Sequence, residues 1–121
     1  DIVIVEGQGS ILHPGSTATL PLMRGTCPTH MILCHIARND SLRSLENIKI
    51  PDLKKFIELN EDLASVLGTY PKAKVIGAAL NTTLMSEEKA KEVITNVEKE
   101  TGIPTTDVVR YGGERIFSSL I

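Results

Sequence analysis

Two cysteines in 121 residues, Cys27 and Cys34, are too few and too close together to frame a disulfide-stapled fold. Cys34 falls inside an apolar stretch, where a reduced thiol is expected to pack as a small hydrophobe. Charge of one sign is also missing. Thirteen Lys and Arg against 15 Asp and Glu give a formal net charge of -2, with no basic run, so nothing electrostatic argues for a nucleic-acid partner. No apolar segment approaches the roughly 18 residues a membrane span needs, and nothing resembles a signal peptide. A membrane partner is therefore not expected, and a cytoplasmic setting is. Internal repeats and low-complexity tracts are absent as well. Finally, the chain starts at Asp1 without a Met and enters an apolar run at its second residue. That abruptness predicts the carboxyl-terminal part of a longer protein.

What is present fits one globular unit: 41% hydrophobic and 23% charged residues are ordinary for a soluble domain. A chain this long buries a core without metal or disulfide support, so residues 1–121 are expected to form a single α/β domain. Ile2 to Val5 is β-branched without alternation, which predicts a strand buried on both faces of a parallel sheet. Glu6-Gly7-Gln8-Gly9-Ser10 halts it, the two glycines permitting positive φ or close approach to a ligand. His13-Pro14-Gly15 closes the loop, and Ser16 or Thr17 is placed to cap a short helix over Thr17 to Arg24.

A second apolar run, His30 to Cys34, predicts the next strand, followed by His35-Ile-Ala-Arg38-Asn-Asp40. Ser41 to Ile50 is polar and reads as a surface loop. Pro51 and Asp52 open a long helix in which Leu53, Phe56, Ile57, Leu63, Ala64 and Leu67 recur at helical spacing until Gly68. Val75 to Leu80 is the third strand, its small residues allowing a helix to pack closely, and Asn81-Thr82-Thr83 stands at its end. Ser86 caps a helix whose buried stripe is Ala90, Val93, Ile94 and Val97, with Gly102 and Pro104 stopping it. Thr105 to Val109 predicts a short strand, ending in Arg110-Tyr-Gly-Gly113 before a last helix from Glu114 to Leu120. Four strand-then-helix units without a hairpin signal predict a parallel sheet sandwiched by helices.

In such a sheet ligands sit at the carboxyl ends of the strands. Four polar segments then share one edge: Glu6 to His13, His35 to Asp40, Asn81 to Thr83 and Arg110 to Gly113. They concentrate an acid, amides, hydroxyls, imidazoles and two arginines, a composition suited to an anionic or nucleotide-like small molecule. The competing reading is that Gln8, Ser10 and Asn81 merely satisfy turn backbone. Cys27, His30, Cys34 and His35 superficially offer four soft ligands, but alternation along a strand separates His35 from His30 and Cys34, so no metal site is expected.

The blocks Val-Glu-Gly-Gln-Gly-Ser10 with Leu12-His-Pro14, Leu33-Cys-His35 with Arg38, Gly77-Ala-Ala-Leu-Asn81, and Thr101-Gly-Ile-Pro-Thr-Thr-Asp107 with Arg110-Tyr-Gly112 fall in order along nearly the whole chain. In that pattern the sequence resembles the carboxyl-terminal domain of the D-glutamate N-acetyltransferase-like family, long catalogued as a domain of unknown function. The resemblance implies a P-loop NTPase-like three-layer αβα sandwich with a mainly parallel sheet, related to dethiobiotin synthetase and MinD-type ATPases. It places the phosphate-binding Walker A loop upstream. No Gly-x-x-x-x-Gly-Lys-Ser/Thr occurs here, so this chain alone is expected to bind nucleotide poorly and to be inactive.

The implied activity is acetyl transfer from acetyl-CoA to the amino group of D-glutamate. That chemistry needs a base for the amine proton and donors for an oxyanion. Glu6 and His35 are the candidate catalytic residues; Gly7, Gln8, Gly9, Ser10, His13, Arg38, Asn81 and Arg110 are the candidates for binding substrate or cofactor. By resemblance Glu6 corresponds to the acid ending a Walker B-like strand, and Asn81 to a residue touching a nucleotide base. Acetyl-CoA or ATP with magnesium is the cofactor expected in the full-length protein, and a homo-oligomer is expected. An ATP-dependent ligase or kinase of the dethiobiotin synthetase kind, and a non-catalytic nucleotide-binding or assembly domain, stand as alternatives.

Overall fold

The computed structural model describes residues 1–16, 18–37, 40–42 and 44–120; the expected cap at Thr17 and the expected ligand at Arg38 lie outside them. Strands β1 (His30–Ile36), β4 (Lys74–Asn81) and β5 (Thr105–Thr106) form a parallel sheet in the order β1-β4-β5. β1 and β4 pair from His30↔Lys74 to Ile36↔Asn81, and β5 joins through Ala78↔Thr105 and Ala79↔Thr106. Each parallel neighbour is reached through a helix: α2 (Leu53–Ser65) between β1 and β4, and α3 (Glu87–Thr101) between β4 and β5. The helices form where the pattern predicts them. Asp52 accepts the Lys55 N–H and Ser86 the Lys89 N–H as side-chain caps, and Gly102 closes α3 in the left-handed region at φ 73°.

The two faces of the sheet differ. On one, Ala78 and Leu80 pack with Leu53 of α2 and with Ile94 and Val97 of α3, joined by the half-buried Leu33. Carboxylates pin these helices to their neighbours: Glu61 accepts the Val75 N–H at 2.9 Å, Glu98 the Thr105 N–H at 3.1 Å, and Glu100 the Leu53 N–H at 3.0 Å. The other face is covered only in part. There α5 (Glu114–Phe117) lays Ile116 over Gly77, so close that a Cβ on Gly77 would stand 2.8 Å from Ile116 Cγ2 and 3.2 Å from the Pro104 carbonyl. The chain is thus an αβα sandwich with a parallel sheet, thick with helix on one side and thin on the other.

Several expectations are corrected. Ile2 to Val5 form no strand and are between 52% and 88% exposed. A strand exists only through ladder partners, and none of the described residues hydrogen-bonds this run. In β1, Ile32 and Ile36 are 49% and 48% exposed, and Cys34 between them is exposed rather than packed as expected. Ser41 to Ile50 is not irregular. β2 (Ser41–Leu42) and β3 (Leu45–Lys49) form an antiparallel hairpin, hidden from the sequence because Ser44, not Gly or Asn, takes the left-handed turn position at φ 64°. α1 (Thr19–Thr26) starts without a side-chain cap, because its N-cap position is Ala18, while the Ser16 hydroxyl accepts the Ser10 N–H. Leu67 leaves the α2 stripe for an exposed turn at φ 55°, and the fourth strand ends at Thr106, giving way to α4 (Val108–Tyr111).

The tight seat of Ile116 gives a direct test. Gly77→Ala is expected to lower unfolding free energy by about 1–3 kcal/mol through overpacking. The cost of Gly77→Ala should shrink in an Ile116→Ala background, where the obstructing side chain is gone; urea denaturation of the four-member cycle measures the coupling.

A cleft at the carboxyl ends of the strands

β1 and β4 end side by side, with Ile36 opposite Asn81, and the chain leaving β5 turns at once into α4 beside them. A cleft of about 360 Å³ lies there, walled by Cys34, Ile36 and Ala79 on the open sheet face and by Val108 and Val109 of α4, with Asn81, Thr83 and Asp107 at its polar end. His35 and Leu80 border it through the adjoining strand backbone, but alternation assigns their side chains to the helix-covered face. Burial pushes the His35 imidazole below its ordinary value, the Glu100 carboxylate opposing only in part, so at neutral pH this side chain is uncharged.

Asp107 organises the polar end. Its Oδ1 accepts the N–H groups of Val109 and Arg110, capping α4, while its Oδ2 accepts both the N–H and the hydroxyl of Thr82. Burial alone would raise its carboxyl pKa; the hydrogen bonds from Thr82, Arg110 and Val109 outweigh that and hold it below the usual carboxylate value. Arg110 runs along the outside of this knot. Its Nη2 donates to the Thr82 carbonyl at 3.0 Å and the Met85 carbonyl at 2.7 Å, and its Nε stands 3.8 Å from Asp107 Oδ2. The guanidinium therefore braces the loop after β4 and is not part of the cleft wall. Asn81 accepts both the N–H and the hydroxyl of Thr83 on its Oδ1, an Asx-type turn that leaves the amide Nδ2 as its remaining donor group.

The glycine-rich loop forms a separate cluster. Gly7 sits against Leu22 of α1, and Gly9, at φ 119°, against Ser16 and Thr19, where a side chain has no room. Ser10 gives its carbonyl to the His13 N–H and its hydroxyl to the Leu12 N–H, and His13 uses Nδ1 to accept the Gly15 N–H. Glu6 and Gln8 are exposed. Among the described residues no hydrogen bond or ion pair joins Glu6 to His13 with the strand ends; Asn81 lines the cleft, Arg110 reaches the loop after β4 through the Thr82 and Met85 carbonyls, and His35 turns its side chain to the other face of the sheet. No group of three or more His, Cys, Asp or Glu among the described residues is placed to hold a metal ion. Nor is any described helix long and apolar enough to cross a membrane.

Asp107 is not among the candidate site residues that the sequence offers, and Thr82 enters only as part of the segment Asn81 to Thr83. The signal was present, an Asp heading Val-Val-Arg-Tyr-Gly-Gly as an N-cap heads a short helix. β-branched Val108 and Val109 favour a strand in the local sequence pattern.

A family model described as a domain of unknown function, DUF1611_C, P-loop domain, matches residues 1–117. The chain belongs to this family. A crystal structure of a DUF1611 family protein from Anabaena variabilis superposes with a TM-score of 0.91 at 46% identity, covering 95% of this chain and 34% of that one. Two curated relatives are described as D-glutamate N-acetyltransferase, from Pseudoalteromonas sp and Tritonibacter scottomollicae. They are 32% and 31% identical over 118 residues, 97% of this chain but 35% of each relative. The chain thus spans about a third of the length of the proteins it matches. The likeness to a P-loop domain agrees with the αβα sandwich expected from the sequence pattern.

Asp107 makes a measurable prediction about acid stability. Because its folded pKa is depressed, its contribution is complete above the unfolded carboxylate value of about 3.9 and is lost as pH falls through the lower folded value. Asp107→Asn keeps an acceptor for the α4 cap but turns a donor toward Thr82, and is expected to cost about 1–3 kcal/mol. Urea midpoints from pH 7 to pH 2 should show the variant less stable at neutral pH and converging on the wild type in acid.

Proposed function

We propose that this chain is one part of an acyltransferase resembling D-glutamate N-acetyltransferase, which moves the acetyl group of acetyl-CoA to the amino group of D-glutamate. The observation that carries the reading is identity of 32% and 31% to two proteins so described, sustained along 97% of the chain. The strand-end cleft agrees with it. Acetyl transfer needs an unprotonated amine, a polarised thioester carbonyl and a route for the departing proton. Asn81 Nδ2, in the cleft, is a donor suited to a carbonyl oxygen; the uncharged imidazole of His35 is a candidate base on the helix-covered side of the same strand end, not in the cleft itself. Glu6 is the second candidate base. Arg38 and Arg110 are the candidates for a substrate carboxylate or a CoA phosphate; for Arg110 that role falls to the guanidinium nitrogens beyond Nη2, which is spent on carbonyls. Gly7, Gln8, Gly9, Ser10 and His13 remain binding candidates as a separate loop. Assembly into a homo-oligomer belongs to the same proposal.

The P-loop description favours a second reading, an ATP-dependent ligase or kinase related to dethiobiotin synthetase. The residues present do not fit a phosphate cradle. No Walker A sequence occurs in the 121 residues. In the glycine-rich loop the N–H groups of Ser10, Leu12, His13, Gly15 and Ser16 are all used within the loop itself. No step through ATP follows from this chain, and a non-catalytic nucleotide-binding or assembly role is the reading left if neither chemistry is found.

The deciding assay is release of free CoA thiol from acetyl-CoA by a protein containing this chain together with the remaining length found in its relatives. D-glutamate-dependent release is the expected result; ATP hydrolysis without it would select the second reading. If His35 is the base, His35→Gln lowers kcat by about 10²-fold or more and removes an acid limb of the kcat–pH profile lying below the ordinary imidazole value. An unchanged profile would return the role to Glu6, for which Glu6→Gln is the matching variant.

A further inference from the structure

We infer that the strand-end cleft seats the uncharged acyl-thioester arm of the acyl donor, and not the amino-acid acceptor. This rests on the acyl-transfer reading and adds which half of the reaction the cleft serves. The argument is one of charge. D-glutamate carries two carboxylates and one ammonium, so a pocket that takes it out of water must supply cations or many donors. Among the described residues the walls of the cleft offer neither. Among its described lining residues there is no Lys or Arg, and its titratable groups are Cys34, His35 and Asp107. His35 is uncharged and assigned to the opposite face. Asp107 is an anion whose oxygens are committed to Thr82 and to the start of α4, with Arg110 Nε 3.8 Å from Oδ2, so it offers a ligand's ammonium little.

A thioester on a chain of amides and methylenes has the complementary character. Its apolar stretches match Ile36, Ala79, Val108 and Val109, and its carbonyls match the Asn81 amide, whose oxygen is held by Thr83 so that the NH₂ is the group left to donate. The volume of about 360 Å³ is within the range of small-molecule sites. The phosphates of such a donor, like the carboxylates of the acceptor, belong outside this cleft, since its described walls give them no counter-charge.

Cys34 makes the inference testable in a protein containing this chain together with the remaining length found in its relatives, because its exposed thiol forms part of the wall, while Cys27, also free and exposed, follows α1 outside the cleft and serves as reference. The probe is the thioether ketone analogue of acetyl-CoA, with a methylene between sulfur and acetyl group, so that no thiol or labile ester interferes. Iodoacetamide labelling is followed at each cysteine by peptide mass. The analogue at about ten times its Kd is expected to slow labelling of Cys34 about tenfold and to leave Cys27 unchanged. Adenosine 3′,5′-bisphosphate and D-glutamate should each leave both rates unchanged. Ala79→Leu, which fills the cleft, should abolish protection, and Asn81→Ala should weaken it, with circular dichroism and melting temperature confirming that both fold.

Protection of Cys34 by D-glutamate or by the bisphosphate alone overturns the assignment, as does protection of neither cysteine or of both equally. The two readings fail separately. D-glutamate-dependent CoA release by the longer protein without Cys34 protection removes the cleft assignment and leaves acyl transfer standing. Cys34 protection without CoA release supports the cleft as a thioester site and removes the transferase.

Discussion

One buried carboxylate ties together the loops on which the candidate site depends. Asp107 holds the first turn of α4 with one oxygen and the loop after β4 with the other, and Arg110 bridges the same loop from outside. A carboxylate taken out of water is costly unless its lone pairs are filled, and here N–H and hydroxyl donors fill them. The result is a fixed angle between the ends of β4 and β5, which determines how far Val108 and Val109 stand from Asn81. The cleft is the gap that this angle leaves.

The second constraint is the unequal cover of the sheet. Small residues in β4 admit α5 against Gly77, yet α5 is only four residues long and protects little of β1. Ile32, Cys34 and Ile36 are consequently solvent-facing although they sit within a continuous apolar run. An exposed cysteine therefore stands in the middle of a strand, on the open face. Helices α2 and α3, by contrast, are anchored twice, by apolar burial and by carboxylates that accept strand or helix N–H groups. The helix-covered face is therefore the rigid reference against which the loops are set.

Acceptors and donors at the strand ends divide into those that build turns and those that remain for a ligand. Ser10, His13 and Asn81 each accept a turn N–H, so their polar side chains are explained by local backbone needs before any ligand is considered. Asn81 differs because its amide nitrogen remains, and His35 differs because burial has removed its charge. Arg110 looks from the sequence like an anion-binding cation, and in the fold most of its reach is spent on two backbone carbonyls.

By itself the sequence determined what depends on neighbours along the chain. The spans and caps of α2 and α3, the glycine stop after α3, the strands β1 and β4 and their parallel order follow from periodicity, capping residues and the alternation of strand with helix. These are interactions within a few residues, or consequences of chain handedness, and they are written locally. What only the tertiary structure decided depends on partners far apart: that Ile2 to Val5 has no ladder to join, that Ser44 can turn a hairpin, that the chain after Thr106 folds as helix because Thr82 and α4 share one carboxylate, and which face of β1 is left open. Burial and hydrogen-bond satisfaction are properties of the assembled sheet and helices, and a β-branched run reads the same in sequence whether its neighbours cover it or not.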